Sequence, residues 1–497
     1  MSLIPTPIEE SGLPWLWERA RREPGKPALG FGAVAYSFDE LAARAQQAAR
    51  RLVTLGIRAG DRVALIMDAS ARMIELIHAA QRLGAVLAPL NTRLTAHEIA
   101  ALADAVEPRA LIYDREHLAS LQRLSGRIML VESEHEFDSI APADLPAMRS
   151  VELNDVHTIL FTSGTTGTPR GAMLTNGNHF ASARASRANL GVHPNDRWLD
   201  AMPLYHVGGL STILRSVIDG VPVILHRGFD PAAVNLAVRD EGVTLLSVVA
   251  TMLTRMLDHN GERPYPSSLR AVLTGGGPVP DALVQRARRL GIPVVPTYGL
   301  TETASQVASA SLEGAIFKAG SCGRPLAGTQ VKIERADSSG RGEIAVKGPT
   351  VMAGYYRQPE ATAGLLRDGW LFTGDIGRLD DDGSLYIDDR RIDLIVSGGE
   401  NVYPAEVEAA LTSHPMIAEA AVYAIDDSQW GHRVAAAVVL RDESKTNASE
   451  LRAWCESRLA RFKIPRSITF MSALPRTPSG KIKRVLLRER HQGAADE

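Results

Sequence analysis

Between Val63 and Val131 four short apolar runs alternate with stretches of helical periodicity, and this alternation constrains the fold more than any other feature. The runs are Val63-Ala-Leu-Ile-Met67, Ala85-Val-Leu-Ala-Pro-Leu90, Ala110-Leu-Ile-Tyr113 and Ile128-Met-Leu-Val131. Helical patterns over 70–83, 96–105 and 116–124 lie between them. A strand that is apolar on both faces must be covered on both, and a helix that returns the chain to a parallel neighbour does so. The first part of the chain therefore reads as layered α/β sheet. Further buried strands are predicted over 157–161, 221–225, 243–250, 269–274 and from 294 onward. Residues 12–57 contain helical patterns, and 132–150 reads as an acidic surface connection.

From about residue 320 the texture changes to short alternating strands, 331–334, 342–347 and 385–387, which predict a small antiparallel or β-barrel-like subdomain. The last hundred residues read as a small α+β unit with helices over 404–413 and 449–460 and strands over 418–423 and 434–440. At 497 residues the chain exceeds one ordinary core. We expect a large domain over 1–391 and a small, mobile one over 392–497.

With 45% apolar and 23% charged residues the composition is that of a globular protein. A net charge of −2 argues against nucleic acid or an anionic membrane as the main partner. Cys322 and Cys455 stand far apart without metal spacing, so a reducing cytoplasm is the expected setting. No apolar run reaches spanning length and the first residues lack a signal-peptide pattern. A homodimer is compatible with the sequence.

Six stretches carry chemistry. Thr162-Ser-Gly-Thr-Thr-Gly-Thr-Pro-Arg170-Gly171 follows a buried strand; its bare backbone and hydroxyls suit closure around an anion, and Arg170 adds a planar cation. It lacks the spacing of a Walker loop. Pro203-Leu-Tyr-His206-Val-Gly-Gly-Leu210 implies a constrained turn that something approaches closely. Gly275, Gly276 and Gly277 end a strand and let a flat ring lie against backbone. In Tyr298-Gly-Leu-Thr-Glu302-Thr303, Tyr298 offers an aromatic face, Thr301 a phosphate donor and Glu302 an oxygen ligand for Mg²⁺. Asp375, after Trp370-Leu-Phe-Thr-Gly, is an acceptor-only group suited to two ribose hydroxyls. Finally, Arg461, Lys463, Arg466, Arg476, Lys481, Lys483 and Arg484 make the C-terminal end basic.

These motifs, in this order and across nearly the whole chain, closely resemble the signatures of the adenylate-forming superfamily of acyl-CoA synthetases. The resemblance implies that Thr162, Ser163, Gly164, Thr165, Thr166 and Gly167 hold the ATP triphosphate, Thr166 with a catalytic part, and that Arg170 stands where the family usually has Lys. It implies that Gly275, Gly276, Gly277, Tyr298, Gly299, Thr301, Glu302, Asp375, Ile387 and Arg390 surround the nucleotide, with Mg²⁺ on Glu302. His206 would gate the meeting of acyl group and CoA thiol. Gly277, Ser397, Gly398, Gly399 and Glu400 would line the acyl and thiol path once the small domain has rotated. Ile392 falls on the hinge, where Asp or Lys is common. Lys481 would reach the acyl carboxylate and the α-phosphate, and the basic end would suit the phosphates of CoA.

The reaction implied has two halves. The acid's carboxylate attacks the α-phosphorus of ATP to give an acyl-adenylate and pyrophosphate; the CoA thiolate then displaces AMP. A carboxylate is already charged at neutral pH, so the first half needs charge neutralisation and alignment, not a general base. Within the superfamily the chain looks most like o-succinylbenzoate-CoA ligases of menaquinone synthesis. Such an acid carries a second carboxylate and a keto group, for which Ser211, Arg215, Thr251, Ser305 and Gln306 are polar candidates. A medium- or long-chain fatty acyl-CoA or aryl-CoA ligase, a carrier-protein-loading adenylation enzyme and a luciferase-like oxygenase share these motifs and stay open at this point.

Overall fold

The computed structural model describes residue 8 and residues 12–163, 169–312, 318–389, 394–427, 429–441, 445–476 and 482–493. Among them the strands form four sheets. The first holds seven strands in the order Gly354–Tyr355, Pro169–Thr175, Val156–Ser163, Val86–Pro89, Arg62–Ile66, Ala110–Tyr113 and Met129–Glu132. The last five run parallel, as the apolar runs predict. Period-two alternation then sorts their side chains: Val63 and Leu65 enter the central core, while Ala64 and Ile66 face the helix Ala96–Val106 on the other side.

The second sheet has nine strands, with Trp198–Asp200, Val223–Leu225, Leu245–Val249, Ala271–Gly275 and Val294–Leu300 parallel at its centre. Helices Pro231–Asp240, Ala250–Asn260 and Asp281–Arg289 cover one face. Between the two sheets lie Phe38–Thr54, Ala71–Leu83, Asn176–Leu190 and Val207–Asp219, which contribute Leu52, Leu76, Phe180 and Leu214 to the shared core. The third sheet is antiparallel: Gln330–Glu334, Gly342–Lys347, Trp370–Leu379, Leu366–Arg367 and Leu385–Asp389. The fourth holds Ile395–Ser397, Glu400–Val402, Ile417–Asp427, Gly431–Leu440 and Ser467–Phe470, with Val422 and Val438 toward one small core and Tyr423 and Ala437 toward another. No described helix is long and apolar enough to cross a membrane.

Four local features add to these expectations or correct them. Residues 12–57 hold, beside the helices Trp15–Arg22 and Phe38–Thr54, a hairpin of Pro27–Phe31 and Val34–Ser37 that joins the second sheet through Leu29 opposite Val223. A five-residue run containing Pro and Gly has little strand preference of its own, and its pairing partner lies far along the chain. Arg115–Leu124 is a 3₁₀ helix, not an α-helix. The strands on either side of the glycine-rich stretch pair with each other: Thr162 and Ser163 end one, and Pro169, Arg170 and Gly171 begin the next, with Thr162 opposite Arg170. Gly354–Tyr355 leaves the small-strand region to pair with Met173 and Ala172, which seats Tyr355 beside that strand pair.

The inter-sheet layer also buries three histidines, His78, His157 and His179. Burial drives all three imidazoles toward the neutral form, His78 down to about 3 and His157 to about 4. Among the described residues, His78 has no hydrogen-bond partner on either ring nitrogen. Below about pH 6.5 the unfolded chain protonates His78 and the folded chain does not, so its presence costs about 1.4 kcal/mol per pH unit as pH falls toward 4. Above pH 6.5 it makes no such contribution. His78→Leu is therefore expected to flatten the acid limb of the stability curve by that slope, read from urea midpoints at pH 7.5, 6, 5 and 4.5; parallel curves for the two proteins would contradict it.

Candidate active site

The strand Val294–Leu300 and the turn after it organise the site. Gly299 is forced there: a Cβ would lie 1.6 Å from the Ser305 carbonyl oxygen, so the chain can double back only without a side chain. The turn Thr301–Thr303 is locked by a hydrogen bond from Leu300 N to Thr303 Oγ1 at 3.0 Å. Ala304 and Ser305 follow with φ of 49° and 104°, strained values for residues with side chains. Tyr298 is buried, and its hydroxyl donates to Asp375 Oδ2 at 2.8 Å. The two residues predicted for adenine and ribose thus touch, although they come from different sheets.

Tyr298, Gly277 and Ile387 line a cavity of about 380 Å³ whose other walls include Thr297, Cys322, Val396 and His432. The glycine triplet beside it divides its roles. A Cβ on Gly275 would meet Thr297 at 2.8 Å, so that glycine serves strand packing, whereas Gly277 opens onto the cavity and faces Val396 of the fourth sheet. A second cavity, about 470 Å³, is lined by Thr162, Thr301, His206 and Glu400.

Glu302 is buried below Thr301. Tyr355 donates its hydroxyl to Glu302 Oε1 at 2.7 Å, and Oε2 has no partner among the described residues. The Arg170 guanidinium lies 5.5 Å from the Tyr355 ring centroid. Glu302, Tyr355 and Arg170 thus form one stack at the mouth of the hairpin. A buried carboxylate with one oxygen held and one open is chemically fit for Mg²⁺, which takes a single carboxylate plus phosphate oxygens.

His206 is the N-cap of the helix Val207–Asp219, which begins against the preceding turn: a Cβ on Gly209 would stand 2.7 Å from the Pro203 carbonyl oxygen. Its Nε2 lies 3.2 Å from Glu400 Oε2. Glu400 comes from the fourth sheet, where Gly398 and Gly399 turn the hairpin with φ of 59° and 87°. The same carboxylate accepts from Asn91 Nδ2 at 3.0 Å, Arg93 Nη1 at 3.3 Å and the Tyr205 hydroxyl at 3.4 Å. Burial opposes the charge on Glu400, but His206, Arg93 and Asn91 outweigh it and hold the carboxyl below its ordinary range. Burial and the Glu400 charge together push the Tyr205 phenol up.

A third cavity, about 290 Å³, adjoins this contact; Arg93, Thr251 and Arg255 line it from one side and Gly398, Gln429 and Trp430 from the other. Three of the basic C-terminal residues are committed elsewhere: Lys463 to Glu98 and Glu406, Arg476 to Glu419, and Arg484 to Glu408. Of the five polar candidates for a second carboxylate, Thr251 lines that third cavity. Arg215 is buried between Asp200 and Asp219, where burial lowers its guanidinium to about 10. Ser211 donates to the Gly208 carbonyl, Gln306 to Thr297, and Ser305 sits on the strained turn.

Gly164, Thr165, Thr166, Gly167, Arg390, Ile392 and Lys481 lie outside the described residues. Asn91, Arg93, Tyr205 and Tyr355 were missed by sequence reasoning. Asn91 and Arg93 did leave a signal, a polar turn at the carboxyl end of a parallel strand, which is where α/β sheets bind ligands. Tyr355 left none, since its role depends on pairing with a distant hairpin.

Known proteins resemble the chain over nearly its whole length. Residues 16–356 match the family described as AMP-binding enzyme, and residues 406–481 match the AMP-binding enzyme C-terminal domain. The chain is 45% identical over 474 residues to the 2-succinylbenzoate–CoA ligase of Geobacillus kaustophilus, covering 95% of this chain and 96% of that one. Among solved structures, a double mutant of o-succinylbenzoate CoA synthetase from Bacillus subtilis bound with its product analogue OSB-NCoA superposes with a TM-score of 0.92 at 38% identity, covering 97% of this chain and 99% of that one. The same enzyme in complex with the acyl-adenylate intermediate OSB-AMP gives 0.75 at 38% identity, covering 96% and 98%.

Proposed function

The chain belongs to the AMP-binding enzyme family, and from that premise we propose that it is an AMP-forming ligase joining o-succinylbenzoate to CoA through an acyl-adenylate. The observation that carries this reading is the near-full-length likeness to enzymes of that activity, including one holding a product analogue. A fatty acid, a tethered carrier thiol or an oxygenase step has no comparable support.

ATP binds with its adenine against Tyr298 and Gly277 and its ribose on Asp375. The hydroxyl hairpin from Thr162, together with Arg170, receives the phosphates, and Lys481 joins them from the small domain. Glu302 would hold Mg²⁺, which when bound neutralises phosphate charge as pyrophosphate leaves. Tyr355 fixes the direction of that carboxylate by holding Oε1. We place the division between the domains at residues 391–392, so that 392–497 swing between two poses.

The second half-reaction uses the pose described above. The higher TM-score to the product-analogue complex than to the acyl-adenylate complex supports reading this arrangement as the thioester-forming one. In it the Gly398–Gly399 turn packs against Val249, and Glu400 holds His206 by its Nε2. The thiol would pass this turn to reach the acyl carbon. The nucleotide end of CoA would occupy the third cavity, where Arg93 and Arg255 suit its phosphates and Trp430 its adenine.

Asp375→Ala is expected to raise the KM for ATP about tenfold or more, the scale of a lost hydrogen bond to a charged group, with the KM for the acid unchanged. A shift in the acid's KM alone would remove Asp375 from the ribose. The reading as a whole is tested by o-succinylbenzoate-dependent exchange of pyrophosphate into ATP without CoA. Exchange with that acid is expected; exchange with fatty acids and not with it would overturn the substrate assignment.

A further inference from the structure

The fourth sheet's domain meets the large domain a second time, away from His206, at the start of the helix Ala96–Val106. Lys463 closes the 3₁₀ turn Arg461–Lys463, and its Nζ lies 2.6 Å from Glu98 Oε1 and 2.7 Å from Glu406 Oε1. Glu406 belongs to the small domain's own helix, Pro404–Thr412. Glu98 belongs to the large domain and divides its oxygens. Oε2 accepts from Thr95 N at 2.7 Å and from Thr95 Oγ1 at 2.8 Å, completing the helix cap, while Oε1 is given to Lys463. The Lys463 and Glu98 side chains are only 6% and 9% exposed. Burial works against the Lys463 charge, but Glu406 and Glu98 outweigh it and keep the ammonium above its ordinary range.

The chemistry of this contact suits something made and broken once per turnover. When the small domain swings, Lys463 and Glu406 travel together as a pair, and Glu98 keeps its cap. At this contact the Lys463–Glu98 bond must open, with the 3.4 Å bond from Thr95 Oγ1 to the Arg458 carbonyl, and both charged groups then regain water. A buried ion pair roughly balances desolvation against attraction, so it adds little net grip, yet it tolerates misplacement poorly. It therefore sets register. Glu98 and Lys463 line the same cavity as Thr162, Thr301, His206 and Glu400, so a slip at Lys463 carries the Glu400 hairpin off His206.

We propose that Lys463 and Glu98 are a positioning pair that seats the small domain in the pose from which the thiol attacks, touching neither ATP, acid nor CoA. The inference rests on the ligase reading above and extends it to a contact in the wall of the second cavity. In Glu98→Gln, exchange of pyrophosphate into ATP should stay within about twofold of wild type. The rate at which CoA consumes pre-formed acyl-adenylate should fall at least about tenfold. Lys463→Arg, which keeps the charge, should retain more of that second rate than Lys463→Met. Equal loss in both half-reactions, or no loss in the second, would overturn the positioning role while leaving the ligase reading intact. Wild-type protein silent in both half-reactions would instead overturn the reading on which it rests.

Discussion

Lys481→Ala is expected to slow acyl-adenylate formation by on the order of a hundredfold or more, while synthetic acyl-adenylate still reacts with CoA at close to the wild-type rate. The first half-reaction brings a carboxylate up to a polyanion, and its transition state spreads negative charge over the α-phosphate. Arg170 and the hydroxyl hairpin lie on the large domain, fixed by strand pairing to Tyr355 and Thr162. A cation on the small domain can be present for the first step and absent from the second. Lysine suits that task because it is a compact point charge on a flexible stem. Single-turnover pyrophosphate release measures the first step, and quenched reaction of the adenylate with CoA the second. Equal losses in the two would contradict division of labour between two poses.

The second large effect concerns Glu400. Glu400→Ala strips His206, Asn91, Arg93 and Tyr205 of a shared acceptor. Removing one partner of a buried pair costs about 3–5 kcal/mol. Here the cost is smaller, because His206 is a third exposed and Arg93 more than half. We expect the thioester half-reaction to fall about tenfold to a hundredfold and adenylation to be spared. Glu400→Gln, which keeps an acceptor, should recover part of the loss. A variant defective in adenylation would show that Glu400 acts in the other pose.

What the sequence revealed follows from where the information lies. Apolar runs such as Ala110–Tyr113 specify strands because every residue is buried, whichever face it takes. Tyr298, Glu302 and Asp375 could be named as candidates because adenine, cation and ribose each need a particular side-chain type next to a glycine or a turn. The contact between Tyr298 and Asp375, and the four-way grip on Glu400, were not legible. They join residues far apart in the chain, Tyr298 and Asp375 on different sheets and His206 and Glu400 194 positions apart. The basic C-terminal run was only partly legible for the same reason. Charge can be counted in a sequence, but Lys463, Arg476 and Arg484 are each answered by a carboxylate that only the fold brings near. Arg215 was a substrate candidate by its charge alone, and the fold buries it near Asp200 and Asp219.

The central claim is the coupling of one particular acid to CoA with cleavage of ATP to AMP. Purified protein would be given ATP, Mg²⁺ and CoA with o-succinylbenzoate, substituted benzoates, malonate or fatty acids of increasing length, and AMP and acyl-CoA would be quantified together. The account predicts that o-succinylbenzoate gives the highest kcat/KM and that AMP and thioester appear in equal amounts. A fatty acid as the best substrate, or AMP formed without a matching thioester, would contradict it.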